Sequence, residues 1–126
     1  MQRDHNDILK MTDAEVSSHI ILDVLKNNSQ VRSGLIGINN KLEIVSRILA
    51  CDRLKNIPLT LNIDEACQSF ATGIIAFDCL DQNLFVSDSN LIRRMKSICE
   101  SAGITLIDVM LFGTDDWLSL RRQNRL

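Results

Sequence analysis

The run Gly73-Ile74-Ile75-Ala76-Phe77 followed at once by Asp78, Cys79 and Asp81 is the most restrictive feature of the chain. Four uninterrupted apolar residues read as a buried strand, and the acids that follow break it into a loop. A helix start comes next, with Ser87 or Asp88 as the cap. A strand that ends in carboxylates and a thiol before a helix is where many α/β enzymes hold a metal, so this stretch calls for a decision between a working site, a damaged one and a polar loop.

The flanking patterns supply the layers that such a strand needs. Thr12-Asp13-Ala14-Glu15 reads as a capping box that opens a helix to about Lys26, with Val16, Ile20 and Val24, joined by Ile21 and Leu25, as its apolar stripe. Residues 35–38 and 42–49 read as paired strands around a two-residue Asn39-Asn40 turn. On the second of these strands Leu42, Ile44 and Ile48 fall on one face, and Val45 and Leu49 on the other. Residues 50–61, with the single proline Pro58, read as a loop or irregular edge. A capping-box-like start at Asn62 opens a short helix that turns Ala66, Cys67, Phe70 and Ala71 inward and closes at Gly73. After the central strand, a helix over 88–102 carries Leu91, Met95, Ile98 and Ala102 inward and stops at Gly103. A strand over 104–111, a turn containing Asp115-Asp116 and a short strand over 117–120 complete the chain, with Trp117 packed at the core edge. The order α-β-β-α-β-α-β-β predicts a three-layer α/β domain with a mixed sheet flanked by helices.

At 126 residues the chain suits one domain over 12–120, preceded by a loosely attached N-terminus (1–11) and followed by a basic tail (121–126). The net charge of −2 supplies no global field toward nucleic acid or an anionic membrane. Two local clusters, Arg93-Arg94-Lys96 and Arg121-Arg122-Arg125, are candidates for anion contacts, Arg93 and Arg94 foremost, although a solvated helix face and a frayed tail are their simpler reading. No apolar run reaches the ~20 residues that span a bilayer, and the polar N-terminus has no signal-peptide core, so a cytoplasmic protein is expected. Cys51, Cys67, Cys79 and Cys99 show no C-x-x-C spacing and read as buried thiols of a reducing compartment. The only histidines are His5 and His19.

Residues 93–120, "RRMKSICESAGITLIDVMLFGTDDWLSL", resemble the C-terminal end of RadC-type proteins, members of the JAB/MPN (JAMM) metalloprotease-like superfamily. Ala102-Gly103-Ile104, Leu106-Ile107-Asp108, Phe112-Gly113 and Ser119-Leu120 fall in the family's order without a gap. "LIGINNKLEIVSRIL" resembles the family's first hairpin, and "DEACQSFATGIIAF" its helix and central strand. The resemblance, over roughly 34–120, implies a cytidine-deaminase-like three-layer fold.

It also implies where the family's zinc site would lie. That site uses two histidines and an aspartate as ligands, a glutamate as general base and a serine at the oxyanion. The histidine positions fall on Phe77 and Cys79, the following proline on Leu80, the serine on Phe85 and the aspartate on Asp88. The glutamate falls near Val45 or Ser46, and a further histidine of the family on Val109. Only Asp88 survives of the five, with Cys79 as a second vestigial metal candidate. For Cys79 a structural thiol, and for Asp88 a helix cap, are the favoured readings.

The expectation is therefore a catalytically inactive RadC-like domain without a cofactor, serving as a binding, assembly or accessory module for an unknown protein partner, with a homodimer possible through its sheet edges. The alternative is a zinc-dependent hydrolase or peptidase rearranged around Cys79 and Asp88. A second alternative is a DNA-repair-associated, nucleic-acid-binding factor using the two basic clusters, a reading against which the near-neutral charge and the lack of aromatic stacking residues argue.

Overall fold

The computed structural model describes residues 13–81 and 88–126. Among the described residues three α-helices, α1 (Ala14–Asn27), α2 (Leu59–Gln68) and α3 (Ser89–Ala102), accompany five strands, β1 (Ser33–Ile38), β2 (Ile44–Ala50), β3 (Gly73–Cys79), β4 (Thr105–Phe112) and β5 (Trp117–Ser119). The strands form one mixed sheet in the order β2-β1-β3-β4-β5. β1 runs antiparallel to β2 and β3, β3 runs parallel to β4 through the α3 crossover, and β5 returns antiparallel to β4. The chain is thus mixed α/β, with β2 and β5 as the sheet's edges.

Both faces of the sheet are covered. On one face Leu35, Ile74, Ala76 and Leu111 pack with Leu59 and Ile63 of α2 and Met95 of α3. On the other, Ile36, Ile75, Phe77 and Met110 pack with Ala14 and Ile21 of α1. The uninterrupted apolar run of β3 is what a strand between two such cores requires, because alternate residues feed opposite layers. Phe77 is fully buried and meets Phe112 edge-on, with ring centroids 6.4 Å apart. Its ring lies so close to β1 that a Cβ at Gly34 would stand 2.6 Å from it and 2.8 Å from the Ile48 carbonyl.

Several local expectations are corrected by this packing. Asp13 caps α1, its carboxylate accepting the Glu15 N–H at 2.8 Å; Thr12, given that role from sequence, lies outside the described residues, as do 1–11. The buried stripe of α1 is Ala14, Ser17, Ser18, Ile21 and Val24, whereas Val16 is exposed. The hairpin between β1 and β2 is five residues long, not two: the Asn39 side chain accepts the N–H groups of Lys41 and Glu43, and Leu42 takes a left-handed φ of 65°. A register shift after Gly37 then leaves Val45 as an extra residue. Ile44 consequently turns to the α1 side, while Val45 and Ile48 share the opposite core.

The segment expected as loop to residue 61 holds a one-turn 3-10 helix, Leu54–Asn56, and the first turn of α2, which begins at Leu59 after Pro58. Phe70, expected inside, is 82% exposed. It ends α2 with a left-handed φ of 69°, its N–H reaching Cys67 O while that of Ala71 reaches Ala66 O. That is the closure usually made by glycine. α3 ends at left-handed Gly103 as expected, but its fully buried stripe is Ile92, Met95 and Cys99, with Leu91 and Ile98 partly buried and Ala102 exposed.

Residues 121–126 are folded onto the domain, not frayed. Arg125 N–H donates to Leu120 O and Asn124 N–H to Arg121 O, with Asn124 left-handed at φ 56°. Leu126 packs against the α2/α3 core. Of the thiols, Cys99 alone is buried; Cys67 and Cys79 are half-buried and Cys51 is exposed, and all are free. Among the described residues no helix is long and apolar enough to cross a membrane.

Candidate functional site

The residues that sequence placed at a vestigial metal centre lie at the C-terminal end of β3, and alternation along the strand separates them. Phe77 and Cys79 face the α1 side, where both join that core. Asp78, between them, faces the α2/α3 side. There it lines a small hollow of about 40 Å³ with Asp88, Arg53, Leu91 and Val109. Cys79 and Asp88 therefore lie on opposite faces of the sheet. The residue that shares a hollow with Asp88 is Asp78, one position away from both carried-over histidine positions.

Asp78 is already committed. Arg53, in the turn that follows β2, donates from Nε to one carboxylate oxygen at 2.8 Å and from Nη2 to the other at 3.0 Å. The Leu54 N–H adds a third bond at 3.2 Å. The Asp78 side chain is 6% exposed and that of Arg53 36%, so the arginine plugs the solvent side of a buried carboxylate. Its hydrogen bonding to Asp78 raises the Arg53 pKa above its ordinary value. A bidentate arginine-carboxylate pair of this kind is among the stronger polar contacts.

Asp88 caps α3. Its Oδ1 accepts the N–H groups of Asn90 and Leu91, each at 3.1 Å. Cys79 is protonated at neutral pH: burial, reinforced by the Asp78 charge, pushes its thiol up to about 11, against the opposing pull of Arg32 and Arg53. A thiol of that kind is a poor nucleophile and a poor ligand. Among the described residues no cluster of three or more histidine, cysteine, aspartate or glutamate side chains stands close enough to hold a metal ion. The donors present do not fit a catalytic zinc, because one carboxylate is held by arginine, one caps a helix and the thiol faces away. Val45 and Ser46, at the glutamate position, carry no base; Val109, at the further histidine position, is buried in the α2/α3 core. Phe85, at the serine position, and Ser87 lie outside the described residues, as does His5. His19 lies on the exposed side of α1.

A second carboxylate has a structural task that sequence reasoning did not assign. Asp108 is wholly buried on β4. It accepts the Ser119 hydroxyl, the Val109 N–H at 2.8 Å and the Arg121 N–H at 3.0 Å, tying β5 and the final turn to the sheet. Arg122 extends that link to α1 through Glu15 at 3.3 Å, and its guanidinium lies 5.4 Å from the Trp117 ring centroid.

The two basic clusters are partly brought together. A hollow of about 480 Å³ is lined by Ser89, Ile92, Arg93, Lys96, Ser97 and Glu100 of α3 and by Arg125 and Leu126. Arg94, the other candidate anion contact, points elsewhere on α3 and does not line it. Helical spacing puts 89, 93, 96/97 and 100 on one face, a feature readable in the sequence. The approach of Arg125 depends on the left-handed turn at Asn124, a conformation that asparagine adopts more readily than most residues.

A scan against protein-family models gives no match, and a search of curated proteins gives none either.

Proposed function

We propose that this chain is a non-catalytic binding or assembly domain on a RadC-like JAB/MPN scaffold. The observation that carries this reading is the dispersal of the donors at the end of β3: Asp78 is bound by Arg53 and the Leu54 N–H, Asp88 caps α3, and Cys79 faces the opposite side of the sheet, so these side chains offer no shared open metal position. Element order supports the scaffold: a hairpin, a helix, a central strand and a crossover helix into a parallel neighbour, as the resemblance implies. The hydrolase alternative needs Cys79 and Asp88 at one centre, and their placement on opposite faces weighs against it. Four free cysteines suit a reducing, cytoplasmic setting. The partner is a protein, and the edges β2 and β5 are where a second copy would add strands.

Elemental analysis and a peptidase and hydrolase panel on the purified chain test the reading. The expected result is no stoichiometric zinc and no turnover. Asp88→Ala then costs only the loss of a cap, about 1 kcal/mol of stability. Stoichiometric zinc with hydrolysis that disappears in Asp88→Ala or Cys79→Ser overturns it.

A further inference from the structure

We infer that the hollow between α3 and the C-terminal turn is a binding site for a small phosphorylated molecule. Three cationic residues, Arg93, Lys96 and Arg125, line it with one acidic side chain, Glu100. Among the described residues neither Arg93 nor Lys96 forms a salt bridge. Ser89 and Ser97 add two hydroxyls to the same wall. This donor set suits a phosphoryl group, which carries close to two negative charges at neutral pH and offers three acceptor oxygens. Arginine supplies a planar fork to two oxygens and lysine a point charge, the combination common at phosphate sites.

Size and walls narrow the ligand further. The hollow is wide open to solvent, and its volume of about 480 Å³ exceeds what one phosphate fills. The remaining space is bordered by Ile92 and Leu126, which suits an organic moiety attached to the phosphoryl group. The backbone behind both walls is anchored: Ile92 is rooted in the α2/α3 core, and the main chain at Arg125 is held by its N–H bond to Leu120 O at 2.8 Å. A nucleic-acid backbone is the poorer fit. The chain is net negative, and the cations surround one hollow instead of following a groove from phosphate to phosphate. The inference is independent of the scaffold's ancestry and of whether the β3 end is catalytic.

Titration of inorganic pyrophosphate into isotope-labelled protein at fixed ionic strength provides the test. Saturable amide shifts are expected at Ser89, Arg93, Lys96, Ser97 and Arg125. Arg93→Gln and Lys96→Gln each weaken binding about tenfold, the effect of losing one charge-assisted contact. Arg94→Gln removes the same charge from the same helix outside the hollow and leaves binding nearly unchanged. All three positions are exposed, so thermal unfolding without ligand stays close to that of the parent. The inference is overturned by absence of saturation at about 10 mM, beyond the millimolar range expected of a few polar contacts. Equal loss in Arg94→Gln also overturns it, since that is diffuse charge attraction. So does steeply salt-dependent binding of a short DNA duplex by a protein that ignores pyrophosphate.

Discussion

Arg53 grips both carboxylate oxygens of Asp78, joining the exit of β2 to the end of β3 across 25 residues of sequence. Hydrogen bonds to a charged group contribute more than neutral ones, and a buried carboxylate left without its cation carries a desolvation penalty. Arg53→Met should therefore lower stability by about 2 kcal/mol in urea unfolding, discounted from the fully buried case because the guanidinium is partly exposed. Replacing both partners, Arg53→Met with Asp78→Leu, should cost less than either single change, because no charge is then stranded. If the double variant loses the sum of the two, the pair is not coupled and the plug is not what organises this end of the sheet.

Asp108 makes a sharper prediction, since it is wholly buried and accepts from three donors. Asp108→Ala strands the Ser119 hydroxyl and two backbone N–H groups, and a loss of about 3 kcal/mol follows. Ser119→Ala removes one of the contacts and costs about 1 kcal/mol. Hydrogen exchange locates the effect: amides of 119–125 should lose protection in Asp108→Ala while those of β1 keep theirs. Uniform loss across the sheet would mean that the carboxylate supports the core generally, not the attachment of β5.

Phe70 occupies a left-handed position with 82% of its surface in water. A side chain in that region costs roughly 1–2 kcal/mol, and glycine avoids the penalty. Phe70→Gly should therefore raise stability by about 1 kcal/mol, since the exposed ring contributes little packing. Scanning calorimetry decides it. A fall in melting temperature would show that the ring packs in solution.

The parts of this fold that could be read in advance are those specified within one turn of chain. Asp88 as a cap and Gly103 as a stop are chemical necessities of a helix's free N–H and C=O groups, and both stand where expected. The apolar run of β3 implied cover on both faces, and the two cores provide it. What was not legible depends on partners distant in sequence or on a single inserted residue. The extra residue at Val45 sends Ile44 and Ile48 to opposite sides, and no periodicity argument contains it. Phe70 stands where a glycine would announce the end of α2, so the helix stops at Gln68, short of the expected closure at Gly73. The candidate site suffered in the same way. Phe77 and Cys79, the expected histidine positions, face one side of β3, while the ionic chemistry lies on the other, where Asp78 needs a cation. A carboxylate at the last buried position of a strand is itself a signal for such a partner, but nothing local names Arg53.

The thiols give a prediction in which the sign of the pH dependence can be worked out. Burial raises Cys79 and Cys99 from 9.0 to about 11, Asp78 adding to the shift at Cys79 and Cys67 at Cys99. The folded chain thus holds these protons over a range in which the unfolded chain releases them. Stability is fully present below about pH 9 and falls as pH rises toward 11, because the native state binds more protons there. The chain has no tyrosine, so no phenol titrates in the same window. Urea unfolding across that range should show a shallower decline for Cys79→Ser combined with Cys99→Ala than for the parent chain. At pH 8 a disulfide reagent should modify exposed Cys51 first and buried Cys99 last, following access. Equal alkaline slopes for parent and double variant, or early labelling of Cys99, would show that the α2/α3 core does not bury this thiol.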